Sequence, residues 1–127
     1  MIQFTEAQDS WTIKLNNKLL LNSSKEDEQS NTKKVSRIEW RKSGYLEITY
    51  KEAEKSAFYH SFLLYDENDN QLWTRDSVLH IKIAINSLRK LFADKKKIVI
   101  YTLISPRNPM MVGVRTRRIH LCTLLLP

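Results

Sequence analysis

Short apolar runs recur along this chain at a period of two, separated by polar or turn-forming residues. Trp11, Ile13 and Leu15 alternate with polar positions, and Lys18–Leu21 follows after Asn16-Asn17. Asparagine tolerates the positive φ that a two-residue hairpin turn demands, so the pattern predicts two strands joined by a tight hairpin. From about residue 22 to 34 no apolar residue occurs, which predicts a long polar loop. Val35–Trp40 and Tyr45–Lys51 alternate again, with Leu46, Ile48 and Tyr50 on one face and Glu47, Thr49 and Lys51 on the other. Such a period predicts half-buried strands on either side of Arg41–Gly44. Ala57–Tyr65 and Gln71–Arg75 flank the turn-rich Asp66–Asn70 and predict a further hairpin.

Val78–Ile85 carries two periods at once. Leu79, Ile81, Ile83 and Ile85 have strand spacing, whereas Ile81, Ala84, Ile85, Leu88, Leu91 and Phe92 have helical spacing. Asn86 or Ser87 can cap a helix, and the lysines at 95–97 complement its C-terminal dipole. These signals predict one helix from about 86 to 94, beginning as early as 79. Lys97–Ile104 is a β-branched strand, Ser105–Pro109 a proline-bounded loop, and Val114–Pro127 the last strand. Seven to eight strands with one helix near residues 79–94 predict a mainly β, antiparallel sandwich, immunoglobulin-like or of another Greek-key order. A curved sheet packed on one helix is the second choice. At 127 residues the chain is expected to be a single β-rich domain spanning 1–127.

Charge changes this picture. Residues 1–85 hold 12 Lys and Arg against 13 Asp and Glu, whereas residues 86–127 hold 9 against the single acid Asp94. The whole excess of +7 therefore lies in the last third, and such asymmetry points to an acidic or nucleic-acid partner. The N-terminal residues show no signal-peptide pattern and no run approaches a membrane span, so a cytoplasmic protein without membrane insertion is expected. The lone Cys122 cannot close an internal disulfide, which agrees with a reducing compartment.

Motifs of catalysis are absent. His60, His80 and His120 stand in no recognisable motif, and two glycines in the whole chain leave no phosphate-cradling loop. No enzyme activity is expected, and no cofactor. His120 and Cys122 at i, i+2 would share a strand face, and Met110 or Met111 could join them in a copper site, but the remaining ligands are missing and no metal is expected. Asp66, Asn68 and Asn70 occupy the first positions of a calcium loop, yet Gln71 and Ser77 stand where glycine and glutamate are required. The acidic run Glu26-Asp27-Glu28 is read as a solvated loop without a role.

The basic end poses a conflict of its own. On an unbroken strand Arg115 and Arg117 share the face of Ile119 and would enter the core, so either a bulge at Arg117-Arg118 re-aims them or they leave the core at its rim. Ser105–Gly113, with Arg107 and the adjacent Met110 and Met111, is the expected functional loop, since methionine pairs suit adaptable contact surfaces. Arg107, Met110, Met111, Arg115, Arg117 and Arg118, with Lys95, Lys96 and Lys97 nearby, form the candidate partner-binding set. The expected function is a non-catalytic binding or assembly module whose rim at 107–118 engages an acidic protein surface or a second copy. Nucleic acid is the alternative partner, weakened because Tyr101 and Phe92 read as core residues and leave few aromatics for stacking. The arginines could instead pair internally with Glu39, Glu47 or Glu52.

Overall fold

In the computed structural model, which describes residues 8–53, 58–106 and 116–127, Asn16 and Asn17 take φ angles of 52° and 67°. That is the left-handed pair a two-residue hairpin turn requires. Along the chain the described residues form β1 (Ser10–Leu15), β2 (Lys18–Ser23), β3 (Thr32–Lys34), α1 (Arg37–Arg41), β4 (Tyr45–Lys51), β5 (Phe58–Tyr65), β6 (Gln71–Asp76), β7 (His80–Ala84), α2 (Ile85–Leu91), β8 (Lys97–Pro106) and β9 (Arg117–Leu125). One sheet has the order β2-β1-β4-β7 and the other β3-β9-β8-β5-β6. All neighbours are antiparallel except β3, which runs parallel to β9. The mainly β sandwich predicted from the strand pattern is therefore present.

Alternation explains why the two sheets meet. Trp11, Ile13, Leu15, Leu46, Ile48, Tyr50, Ile81 and Ile83 point from the first sheet into one buried cluster. Phe62, Leu64, Ile98, Ile100, Ile119, Leu121, Cys122 and Leu124 meet them from the second, and Ile85, Leu88 and Phe92 close one end. Each large aliphatic side chain so buried contributes about 1.5–3 kcal/mol. Among the described residues no helix is long and apolar enough to cross a membrane.

Three expectations are corrected. Val35–Trp40 is not a strand: Ser36 caps α1, its hydroxyl accepting the Glu39 N–H at 3.2 Å, and Ile38 faces solvent. Six residues are too few for period two to outweigh a good cap. The polar stretch at 22–34 is not loop throughout, because β2 runs to Ser23 and Thr32–Lys34 pairs with Thr123–Leu125. Finally, residues 80–84 are strand, and the helix begins only at Ile85 behind Ala84, without the side-chain cap expected of Asn86 or Ser87. Both periods in that stretch are real, one after the other.

The two helices lie at the same end of the sandwich. Arg89 on α2 donates to the carbonyls of Trp40 and Lys42, at 2.5 and 3.1 Å. There Asn16 also donates to the Glu39 carbonyl and carboxylate at 3.0 and 2.7 Å, and Lys18 and Lys42 add ion pairs to the same carboxylate. Lys18, Asn16 and Lys42 together hold the Glu39 carboxyl down to about 2. Gly44 sits against this knot: a Cβ placed on it would lie 1.5 Å from Asn16 Oδ1. Asn16 is held by its turn and its bonds to Glu39 and cannot swing aside freely. Gly44→Ala is therefore expected to lower stability by about 1–3 kcal/mol, measurable as a fall in the urea midpoint without loss of the β-sheet circular dichroism.

Candidate binding surface

The last strand resolves the conflict between its arginines and its apolar residues. Arg117 and Arg118 pair with Ile104 and Leu103, and Ile119 with Thr102. Tyr101 then faces His120 while Ile100 faces Cys122, so Leu121 is the extra residue of a β-bulge. The bulge lies at Leu121 and not at Arg117-Arg118, so of the two expected escapes Arg117 takes the second, leaving the core at its rim. The bulge reverses the alternation: Ile119 points inward before it, Leu121 is buried at it, and Cys122 and Leu124 point inward after it. Arg118 and His120 are left on the outer face of the five-stranded sheet. Arg117 keeps the inward parity but stands beyond the core, where its side chain is 62% exposed.

The same bulge separates His120 from Cys122, which were expected to share a face. Among the described residues no group of three or more His, Cys, Asp or Glu could hold a metal. Cys122 is fully buried, and burial pushes its thiol up to about 12.

Each described arginine of the rim meets an acid from a distant part of the chain. Arg117 pairs with Glu26, whose other carboxylate oxygen accepts the His120 backbone N–H at 3.0 Å. Glu26 thus has a structural role that its loop context concealed. Arg118 bonds Asp69 at 3.3 Å, and its guanidinium lies over Tyr101 at 4.2 Å and Tyr65 at 4.9 Å from the ring centres. Tyr65 and Tyr101 meet edge to face at 5.2 Å, and Tyr101 meets His120 at 5.8 Å. Phe92 is core as expected, whereas Tyr101 faces outward with a partly accessible ring. The glutamates proposed as internal partners are engaged elsewhere: Glu39 with Lys18 and Lys42, Glu47 with His80, and Glu52 with His60.

Lys95, Lys96 and Lys97 do not join this group through the backbone. Lys97 pairs with Leu125 at the helical end of β8, whereas Arg117 pairs with Ile104 near the other end. Seven residues of strand separate the two positions, about 23 Å. Lys95 is bound to the buried Asp66 at 3.0 Å, and the Lys96 backbone N–H donates to Glu67. The Asn70 backbone N–H, with Lys95, holds the Asp66 carboxyl well below the usual range against the effect of burial. Arg107, Met110, Met111 and Arg115 lie outside the described residues.

Other polar groups serve the core or line shallow clefts. Glu52 and His60 form a buried pair at 3.2 Å, with Thr102 Oγ1 3.5 Å from the far ring nitrogen. Thr102 is fully buried and donates to the Ser61 carbonyl at 3.1 Å, while Glu52 and His60 border a small open cleft of about 210 Å³. An open cleft of about 350 Å³ lies beside Arg117, Glu26, Lys25, Asp9 and the edges of Trp11 and Tyr50. A second, of about 450 Å³, lies at the opposite end between Asn17, Lys42, Tyr45 and Lys82. Compared with protein-family models, curated proteins and solved structures, the chain matches none.

His120 gives the surface a measurable signature. Burial lowers its pKa below the ordinary 6.5, with Glu28 and Glu26 opposing the shift. Its Nε2 meets Thr123 Oγ1 at 2.8 Å while the buried Nδ1 has no partner. As pH falls below 6.5 the unfolded chain takes up a proton that folded His120 resists, so this group removes stability on the acid side. Urea unfolding at pH 7.5 and 5.5 should show a loss at the lower pH that is smaller in His120→Gln than in the parent protein. An equal loss in both would place the pH dependence elsewhere.

Proposed function

We propose that the protein is a non-catalytic binding or assembly module that engages an acidic partner through the arginine-rich rim at 107–118. The observation that carries this reading is the state of Arg118. Its guanidinium already lies 4.2 and 4.9 Å from the centres of two tyrosine rings, with one exposed carboxylate, Asp69, at 3.3 Å. Exposed ion pairs of this kind contribute only about 0–1 kcal/mol, so a partner carboxylate can replace Asp69 at little cost. An arginine held in place by stacking also loses less side-chain freedom on binding than a free one. Arg117, beside an open cleft and largely exposed, supplies a second fork for carboxylates.

One observation favours a second reading, in which the partner is single-stranded nucleic acid. Tyr65 and Tyr101 face outward beside Arg118, which supplies the aromatic surface that base stacking requires. Both readings are tested by fluorescence-polarisation titration of a labelled polyglutamate peptide and of labelled oligonucleotides at about 50 and 200 mM salt. The first predicts peptide binding that weakens with salt and falls at least tenfold in an Arg115→Glu, Arg117→Glu, Arg118→Glu variant with intact fold. Oligonucleotide affinity that drops on the order of a thousandfold across that range, and vanishes in the variant, would put the second reading first. No binding of either probe at low salt would sink both, and turnover of generic phosphoester, ester or glycoside substrates would overturn the non-catalytic part.

A further inference from the structure

We propose that the outer face of the five-stranded sheet docks onto the same face of a second copy of this chain. In that dimer Arg118 of each copy exchanges its own Asp69 for Asp69 of the other. The inference deepens the assembly reading and rests on it only for the availability of Arg118.

The sequence of the central strands is the first reason. A sheet with one solvated face places polar residues outward. Here Phe62, Leu64, Ile98 and Ile100 fill the inner face, yet the alternate positions Leu63, Tyr65, Val99, Tyr101 and Leu103 are also apolar or aromatic. Leu63 pairs with Tyr101, which pairs with His120; Tyr65 pairs with Val99, and Leu103 with Arg118. Leu63 is 6% exposed although it lies outside the inter-sheet cluster. β5 and β8 thus have the composition of strands covered on both sides, whereas Val99, Tyr101 and Leu103 remain partly exposed on the outer face. Partly exposed apolar and aromatic side chains at successive outward positions of one strand suit an interaction surface.

Charge decides in favour of a second copy as the occupant. Over the Tyr65–Tyr101 pair the face carries one cation, Arg118, and the 68%-exposed Asp69 of the β5–β6 turn meets it at 3.3 Å as the anion. A two-fold interface requires such self-complementarity, since each residue must meet the partner of its equivalent. An axis lying in the interface between Arg118 and Asp69 brings each arginine onto the other copy's aspartate. Tyrosine and arginine are also the residues enriched where interfaces desolvate. The five strands span roughly 24 Å and the β5–β8 register about 23 Å. That projects to roughly 550 Å² per copy, against about 800 Å² for a standard stable interface. The expected dimer is accordingly weak, in the micromolar range.

Sedimentation velocity from about 5 to 500 μM should show a concentration-dependent dimer. Asp69→Lys and Arg118→Glu, each checked by circular dichroism, should each weaken it at least tenfold, because each brings like charges together twice. An equimolar mixture of the two variants should dimerise again. The introduced lysine then meets the introduced glutamate, and the unchanged aspartate meets the unchanged arginine. A bond within one chain cannot be restored by mixing, so recovery assigns the contact to the interface. A protein that stays monomeric at 500 μM overturns the proposal, as does a dimer indifferent to both variants or a mixture that remains monomeric. Asp69→Lys leaves both arginines in place, so the polyglutamate titration on this variant tests the rim separately from the dimer.

Discussion

The extra residue at Leu121 is the constraint on which the rest of the second sheet depends. A bulge leaves one residue outside the ladder, and here it is spent inward: Leu121 and Cys122 are both buried, where regular alternation would have put one of them outside. The Leu121 carbonyl accepts the indole N–H of Trp11 at 2.9 Å, a bond that crosses from one sheet to the other. Trp11 in turn stacks on Tyr50, and Tyr50 packs against His60, which is paired with Glu52. A buried carbonyl left unsatisfied would be destabilising by about 1–3 kcal/mol, so bulge and tryptophan support each other. By reversing parity, the bulge also turns Arg118 and His120 outward while Ile119 stays in.

Charge separation along the sequence becomes charge pairing in space. The basic last third supplies Lys95, Arg117 and Arg118, and the more acidic remainder supplies Asp66, Glu26 and Asp69 to meet them. Those acids stand in two turn-rich segments, one before β3 and one between β5 and β6, that border the β8–β9 hairpin from either side. The pairs differ in consequence. Asp66 is buried and tied to three neighbours, so Lys95 is structural. Asp69 is exposed and meets Arg118 at 3.3 Å, so this pair contributes little to the fold.

The two ends of the sandwich differ in what they carry. Both helices, the Asn16-Asn17 turn and the Glu39 knot close one end, where hydrogen bonds tie each connection to the next. The opposite end carries Arg117, the cleft beside Trp11 and Tyr50, and the roots of the segment that contains Arg107, Met110, Met111 and Arg115.

What could be read from residues alone were features with local causes. Two asparagines in sequence determined a hairpin because the turn needs positive φ there and asparagine tolerates it. Period-two runs determined β1, β4, β5 and β8 because a pleated strand has no other way to present one face to a core. That Arg117 leaves the core was legible for the same reason: charge cannot follow an apolar strand inward. The tertiary structure alone decided the rest. Thr32–Lys34 is a strand only because β9 offers it an edge, and no pattern in three polar residues records that. The position of the bulge depends on pairing with β8, and it settled that Tyr101 and His120 face out while Cys122 faces in. Whether a charge is free depends on which distant acid the fold brings near it: Glu26 and Asp69 lie 91 and 49 residues from their arginines, a separation that no local pattern in the sequence can bridge.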